Sequence, residues 1–155
     1  MIPTLEWTAE GVRFLDQTRL PLEETYVLAT TSDQVATVIT TMVVRGAPAI
    51  GVAAAMGVAL GIKNSSAKTI PALTIELESI SRTLAATRPT AVNLFWAIER
   101  MRGRFFALAK QPGITIPELA AKMGIKQNYL YRVLPILEEE GKVHKEGRGW
   151  HPKGK

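Results

Sequence analysis

The feature that most constrains the fold of this chain is an uncharged stretch of 17 residues, 46–62. It is rich in glycine and alanine and falls short of the roughly 20 strongly apolar residues that span a bilayer. A helix that is apolar on all sides has no face for solvent, so it is buried among other elements. We therefore expect a buried core helix at this position.

Short strands and one amphipathic helix are predicted before this stretch. Residues 5–8 and 12–15 largely alternate apolar with polar residues, and Gly11 is suited to the positive φ of a three-residue turn, which predicts a hairpin. Residues 26–29 predict a third strand. Thr31 is the expected N-cap of the next helix, with Gln34 completing a capping box. The inner face of that helix follows helical spacing and comprises Val35, Val38, Ile39, Met42 and Val43.

The pattern after the core helix predicts two more long helices. Gly46 is expected to take a positive φ where the first helix has ended, and Pro48 to lie in the first turn of the core helix. The third helix has the apolar stripe Ile70, Leu73, Leu77, Ile80 and Leu84. The fourth is expected to begin at Pro89, directly after Arg88, and to carry Leu94, Ile98, Met101, Phe105 and Leu108 on one face.

The tail repeats helix signals on a shorter scale. Thr115 and Glu118 form a capping box for a short helix whose inner face is Leu119, Ala120 and Met123. A further helix is expected over 126–140, kinked by Pro135, and residues 142–150 predict a short β-hairpin. With the end of the fourth helix, this order resembles a winged helix-turn-helix.

The positive charge of the chain is concentrated in its tail. Residues 1–104 hold ten Lys and Arg against nine Asp and Glu, whereas residues 105–155 hold nine against five. A local positive excess suits a polyanionic partner.

The chain has no cysteine, which excludes disulfides, thiolate metal ligands and cysteine nucleophiles. The N-terminal residues show no signal-peptide pattern, so we expect a cytoplasmic protein without a membrane partner.

The junction at residues 45–51 is a candidate anion site. Arg45 lies beside Gly46 and Ala47 where one helix ends and another begins, and a helix N-terminus offers free N–H groups and a partial positive charge. Arg88 is expected to repeat this arrangement before the fourth helix. The residues alone favour the simpler interpretation, an ordinary Gly-Pro helix junction with a solvated arginine.

Three stretches give the first 118 residues a family resemblance. Residues 14–21 (FLDQTRLP), 42–51 with the core RGAPAIG, and 87–94 (TRPTAVNL) together resemble the N-terminal domain of methylthioribose-1-phosphate isomerases, which are related to the regulatory subunits of initiation factor 2B. The resemblance implies that Arg45, Gly46, Ala47 and Arg88 bind the phosphate of a phosphorylated sugar such as methylthioribose 1-phosphate, here weakly. It implies no cofactor.

The same resemblance also implies what this chain lacks. Enzymes of the family are more than twice as long, and their catalytic cysteine and acid aspartate lie in a C-terminal Rossmann-like domain that has no counterpart here. Moving a proton between adjacent carbons needs such groups. We therefore expect no catalytic residues and no isomerase activity from this chain alone.

The tail predicts contacts with duplex DNA. In a helix-turn-helix the first residues of the second helix face the major groove. Amide side chains there can pair with adenine, and Lys and Arg with guanine or phosphate. The candidate DNA-binding residues are Lys126, Gln127, Asn128, Tyr129, Arg132, Lys142, Lys145, Arg148 and Lys153. Three small helices with a hairpin also occur as protein-interaction modules, and that alternative stays open.

The two histidines of the chain, His144 and His151, have no carboxylate or thiol partner at a metal-binding spacing, so we expect surface positions and no metal site. The predicted fold class is α+β. It comprises a small antiparallel sheet with a helical bundle over residues 1–104, followed over 105–155 by a winged helix-turn-helix that shares the preceding long helix. The predicted function is a non-catalytic chimera with a DNA-binding tail. The alternatives are an isomerase fragment that needs a separate catalytic domain, and a structural fusion without either activity; a homodimer is compatible with each.

Overall fold

The computed structural model describes residues 2–124, 143–146 and 149–152. They fall into two compact units, Met1–Gly124 and Ile125–Lys155. The first contains β1 (Leu5–Trp7), β2 (Val12–Leu15), β3 (Tyr26–Ala29), α1 (Ser32–Thr40), α2 (Ala47–Lys63), α3 (Ile70–Ala85), α4 (Val92–Ala109) and α5 (Ile116–Met123). The predicted small antiparallel sheet with a helical bundle is thus confirmed in this unit. Within the described part of the chain, no helix is long and apolar enough to cross a membrane.

The sheet is an antiparallel meander in the order β1-β2-β3. Phe14 in the central strand pairs with Leu5 on one side and Val27 on the other, and it is fully buried. Gly11 does not have the positive φ that we predicted. It is required for another reason, since a Cβ there would lie 2.2 Å from the backbone oxygen of Ala29.

Helix α1 begins as predicted but ends earlier. Thr31 is its N-cap and accepts a hydrogen bond from the Gln34 N–H, whereas the Gln34 side chain accepts from the Thr30 N–H rather than from Thr31. The expected capping box is therefore displaced by one residue. The helix ends at Thr40, and Met42 adopts a φ of +63°.

The end of α1 is a Schellman motif built without glycine. The Met42 N–H donates to the Ile39 carbonyl, and the Val43 N–H donates to the Val38 carbonyl. The motif turns Met42 outward, where it is 42% exposed. The prediction that Met42 and Val43 continue the helical core stripe is therefore wrong, and Val44 is the buried residue in this segment.

Helix α2 is the buried core helix that the uncharged stretch predicts. It packs against α1, α3, α4 and α5, and its side chains are buried along most of its length. Its glycines allow close packing: a Cβ on Gly57 would lie 3.0–3.2 Å from Val35 and Leu84, and one on Gly61 would lie 2.5 Å from Ile80.

Helices α3 and α4 show the predicted apolar stripes. Leu73, Leu77 and Leu84 of α3 are fully buried, and all five stripe residues of α4 are 3% exposed or less. The predicted start of α4 is wrong, because the helix begins at Val92 with Ala91 as its N-cap. Residues 86–91 form a turn instead, in which the Ala91 N–H donates to the Arg88 carbonyl.

Helix α5 begins with the predicted capping box. The Thr115 hydroxyl accepts from the Glu118 N–H, and the Glu118 carboxylate accepts from the Thr115 N–H. Leu119 and Met123 are buried, and α5 packs against α2 and α4. The first compact unit therefore includes residues 105–124, which the sequence analysis assigned to the second domain.

The second unit contains one described element, an antiparallel hairpin of β4 (Val143–Glu146) and β5 (Gly149–Pro152). This confirms the predicted hairpin at a slightly later position. The predicted helix over 126–140 lies outside the described residues, so the winged helix stays a prediction.

Candidate functional site

The five helices of the first unit differ in how their N-termini are capped. In α1, α3 and α5, the hydroxyl groups of Thr31, Thr69 and Thr115 accept a backbone N–H of the first turn. In α2 and α4, the N-caps are Gly46 and Ala91, and neither start has a side-chain cap. The two uncapped helices are the two that follow the candidate arginines.

The start of α2 leaves backbone N–H groups available to a ligand. Gly46 has a φ of +90°, and a Cβ at this position would meet no atom within 4 Å, so the space beside it is open. The Ile50 N–H donates to the Gly46 carbonyl at 2.9 Å, and Pro48 has no N–H. The N–H groups of Ala47 and Ala49 lie in the first turn, where a helix provides no acceptor. They can therefore bind an anion.

Neither uncapped helix start carries its own counterion. The first turns of α2 and α4 contain no acidic residue, whereas α1 has Asp33 and α5 has Glu118 in the first turn. Aspartate and glutamate commonly offset the partial positive charge of a helix N-terminus. The electrostatic field at the starts of α2 and α4 is consequently not neutralised by their own side chains.

The two uncapped starts lie side by side. A Cβ on Gly51, in the second turn of α2, would lie 3.1 Å from the backbone oxygen of Asn93 and 3.4 Å from its Cβ. Asn93 is the second residue of α4, so the first turn of α4 packs on the second turn of α2. At a rise of about 1.5 Å per residue, this places the start of α4 within about 6 Å of the start of α2 along the helix axis.

Arg45 and Arg88 are both available for an external anion. Arg45 is exposed, and its Nε donates to the Met42 carbonyl at 3.3 Å, which ties its side chain to the end of α1. Arg88 is half-buried in the turn that leads to α4. Within residues 2–124, neither guanidinium forms an ion pair with a carboxylate.

An ion-pair cluster joins α3 and α4. Arg102 of α4 contacts Glu78 of α3 at 2.6 Å and Glu99 at 2.8 Å. Hydrogen bonds to these two carboxylates raise the pKa of Arg102 above its ordinary value. The cluster joins the two helices on either side of the 86–91 turn, although partly exposed pairs of this kind contribute only modestly to stability.

The structure thus places the predicted phosphate-binding residues Arg45, Gly46 and Ala47 at the start of α2. The turn that carries Arg88 leads into α4, whose first turn packs on α2. Asn93, whose backbone lies against Gly51 of α2, was not predicted as part of the site; Gly51, which ends the RGAPAIG motif, was the available signal. Two grooves of about 330 Å³ and about 360 Å³ lie elsewhere, along α1 and α3, and neither is lined by Arg45 or Arg88.

The predicted DNA-binding residues cannot be placed in the same way. Lys145 lies in β4, in the middle of the strand. The remaining eight lie outside the described residues: Lys126, Gln127, Asn128, Tyr129, Arg132, Lys142, Arg148 and Lys153.

Similarity to known proteins covers most of the chain. The model of the Initiation factor 2 subunit family matches residues 43–123. A methylthioribose-1-phosphate isomerase from Koribacter versatilis is 54% identical over 112 residues, which are 72% of this chain and 32% of that protein. The isomerase of the same name from Thermosynechococcus vestitus is 42% identical over 151 residues, covering 95% of this chain and 40% of that protein. The latter alignment therefore extends beyond residue 124 into the tail.

Solved structures give the same result for the fold. The 5-methylthioribose 1-phosphate isomerase from Pyrococcus horikoshii OT3 superposes with a TM-score of 0.76 at 33% identity, over 88% of this chain and 36% of that chain. The translation initiation factor eIF-2B subunit delta from A. fulgidus superposes with a TM-score of 0.73 at 28% identity, over 90% and 38%. This chain spans roughly a third to two fifths of the length of the relatives it matches.

Proposed function

We propose that this chain, which belongs to the Initiation factor 2 subunit family, forms the sugar-phosphate-binding part of a methylthioribose-1-phosphate isomerase. The observation that carries the proposal is the pair of uncapped helix starts at Gly46 and Ala91, each preceded by an arginine. The isomerase relatives supply the substrate class, since their names specify a phosphorylated sugar.

The proposed binding mode follows from the chemistry of a phosphate group. A phosphate presents several oxygens that accept hydrogen bonds, and the Ala47 and Ala49 N–H groups can donate to them along the axis of α2. Arg45 and Arg88 would add charge-assisted hydrogen bonds from two sides. The small side chains at Gly46 and Ala47 leave room for the phosphate to approach the backbone.

In this proposal the chain binds the sugar phosphate but does not itself carry out the isomerisation. An aldose-ketose isomerisation moves a proton between adjacent carbons, which requires a positioned acid or base. The chain contains no cysteine, and its two histidines are His144 and His151 in the second unit. In this proposal the groups that move the proton are therefore supplied by another polypeptide segment, and this chain positions the substrate phosphate.

Calorimetric titration with methylthioribose 1-phosphate tests the site. Each charge-assisted contact contributes roughly 1.5–3 kcal/mol, and ordering of the ligand offsets much of this, so we expect weak binding by the wild-type chain. Arg45→Ala and Arg88→Ala should each weaken it by about tenfold, which corresponds to about 1.4 kcal/mol. Arg104→Ala is the matched control, because Arg104 is an exposed arginine on α4 that forms no ion pair within residues 2–124. Equal losses for Arg104→Ala and Arg45→Ala would overturn the assignment.

A second candidate function is DNA binding by the tail. The observation that favours it is the β4-β5 hairpin at the position expected for the wing, in a segment of the chain with excess positive charge. The Thermosynechococcus vestitus alignment, which extends into the tail, favours the isomerase proposal instead. A gel-shift titration across salt concentrations separates the two.

For a DNA-binding tail, affinity for duplex DNA should fall with a slope of about −0.9 in log K against log salt for each neutralised phosphate. Lys145→Ala or Arg148→Ala should flatten the slope by about one unit, whereas Asn128→Ala or Arg132→Ala should mainly reduce sequence preference, by about 1–3 kcal/mol. Undetectable binding at low salt would remove this candidate.

A further inference from the structure

Helix α4 presents large apolar side chains to solvent on the side opposite its core stripe. Val92 is 68% exposed, Phe95 39% and Phe106 37%. Together with Glu99 and Arg102, these residues follow one another at intervals of three and four positions along α4, so they lie on one face of the helix. Intervals of three and four are those of the a and d positions of a coiled coil, where helices pack on one another.

The order of residues on this face is self-complementary. When two copies of a helix run in opposite directions about a two-fold axis, a residue that faces a second residue of the partner is in turn faced by it. An alignment that places Phe95 opposite Phe106 of the second copy also places Glu99 opposite its Arg102. The apolar residues then meet apolar residues, and the acid meets the base.

The charges in the middle of this face leave room for such a contact. Arg102 Nη2 contacts Glu78 Oε1 at 2.6 Å, and Arg102 Nη1 contacts Glu99 Oε1 at 2.8 Å. The cluster therefore holds two carboxylates and one guanidinium, and the Glu99 side chain is 66% exposed. In the antiparallel alignment each Glu99 gains the Arg102 of the second copy. A parallel, in-register alignment would instead place Glu99 opposite Glu99.

We propose that two copies of this chain associate through the exposed face of α4, as an antiparallel helix pair in which Phe95 packs on Phe106 and Glu99 pairs with Arg102 of the second copy. The 18 residues of α4 are about 27 Å long, so a strip about 10 Å wide covers roughly 300 Å² per copy. Stable interfaces cover about 800 Å² per partner. The association is therefore weak, with monomer at low micromolar and dimer at millimolar concentration.

Sedimentation equilibrium of the full chain tests the proposal. The wild-type chain should shift from monomer to dimer as its concentration rises from micromolar to millimolar. Phe106→Asp and Glu99→Arg should each weaken association by at least about tenfold, because one buries an unpaired carboxylate and the other places two arginines opposite each other. Leu28→Asp is the matched control, since Leu28 is 41% exposed but lies on β3 of the sheet, and this variant should associate like the wild-type chain.

Single cysteines test the alignment itself, since the chain has none of its own. Val92 faces Ala109 of the second copy in the proposed pair, whereas the two copies of Val92 lie about 25 Å apart along the helices. A disulfide requires Cα atoms within about 7 Å. Mild oxidation of a mixture of the Val92→Cys and Ala109→Cys chains should therefore give the mixed disulfide, and either variant alone should give little dimer.

Three results would overturn the proposal. A wild-type chain that stays monomeric at millimolar concentration would assign the face to another partner. A dimer that persists undiminished in Phe106→Asp and Glu99→Arg would place the interface elsewhere on the chain. Disulfides that form as readily within each cysteine variant alone as in the mixture would exclude the antiparallel alignment.

Discussion

Replacing Gly11 with alanine should destabilise the first unit, so that it unfolds at a lower denaturant concentration than the wild-type chain. The added Cβ would lie 2.2 Å from the Ala29 oxygen and 3.0 Å from both the Ala29 carbon and the Thr30 Cα. All three are backbone atoms of the neighbouring strand end, and C···O contacts normally begin at about 3.3 Å. A side chain cannot rotate away to relieve this contact, so one backbone segment must move by about 1 Å.

The strand end is fixed on two sides. The Thr30 N–H donates to Gln34 Oε1 at 2.7 Å, and Asn64 Nδ2 donates to the Thr30 carbonyl at 2.8 Å. Moving Thr30 would weaken both hydrogen bonds, each of which contributes about 0.5–1.5 kcal/mol. Overpacking itself costs about 1–3 kcal/mol. Together these terms predict that Gly11→Ala lowers the free energy of unfolding by about 2–4 kcal/mol.

Gly103→Ala is the matched control. Gly103 lies inside α4, and a Cβ there would meet no atom within 4 Å, so the substitution should gain about 1 kcal/mol from helix propensity alone. Urea denaturation followed by circular dichroism measures both changes. We expect the two glycine-to-alanine variants to change the free energy of unfolding in opposite directions. A change of less than about 0.5 kcal/mol in Gly11→Ala, which is about the error of such measurements, would refute the reasoning.

Three further predictions concern helix ends and activity. Met42→Gly should raise the free energy of unfolding by about 0.5–1 kcal/mol in the same urea assay, because Met42 has a φ of +63° and glycine adopts it without strain; a destabilised variant would contradict this. The hydrogen bonds from Thr115 lower the pKa of Glu118 below its ordinary value of 4.5, so its contribution to stability is present above that pH and is lost as the pH falls through the lowered pKa. The stability difference between wild type and Glu118→Ala should shrink with that fall, and a difference constant from pH 7 to pH 2 would argue against the capping carboxylate. Finally, the purified chain should show no turnover of methylthioribose 1-phosphate, and measurable turnover by the chain alone, free of host enzyme, would contradict the proposal that another polypeptide segment moves the proton.

The helix caps show which parts of the site could be predicted from the sequence. Threonine N-caps at Thr31 and Thr115 and the uncapped start at Gly46 follow from local side-chain chemistry, and all three were identified. The start of α4 could not be predicted in the same way. Pro89 is a residue that helices accept in the first turn, but here it lies in a separate turn closed by the hydrogen bond from Ala91 to Arg88. Local propensity does not distinguish these two uses of proline.

The core helix α2 explains why the arrangement around the site could not be predicted. An amphipathic helix shows in its sequence which face is buried, but α2 is apolar on all sides and therefore gives no direction for its neighbours. In the structure, that direction is given by its glycines: Gly51 meets Asn93 of α4, Gly57 meets Leu84 of α3, and Gly61 meets Ile80 of α3. The approach of Gly51 to Asn93 places the first turn of α4 against the second turn of α2, and so it positions the turn that carries Arg88 relative to α2. Replacing Gly51 with a larger residue should therefore weaken phosphate binding in the calorimetric titration without altering any residue that is proposed to touch the ligand.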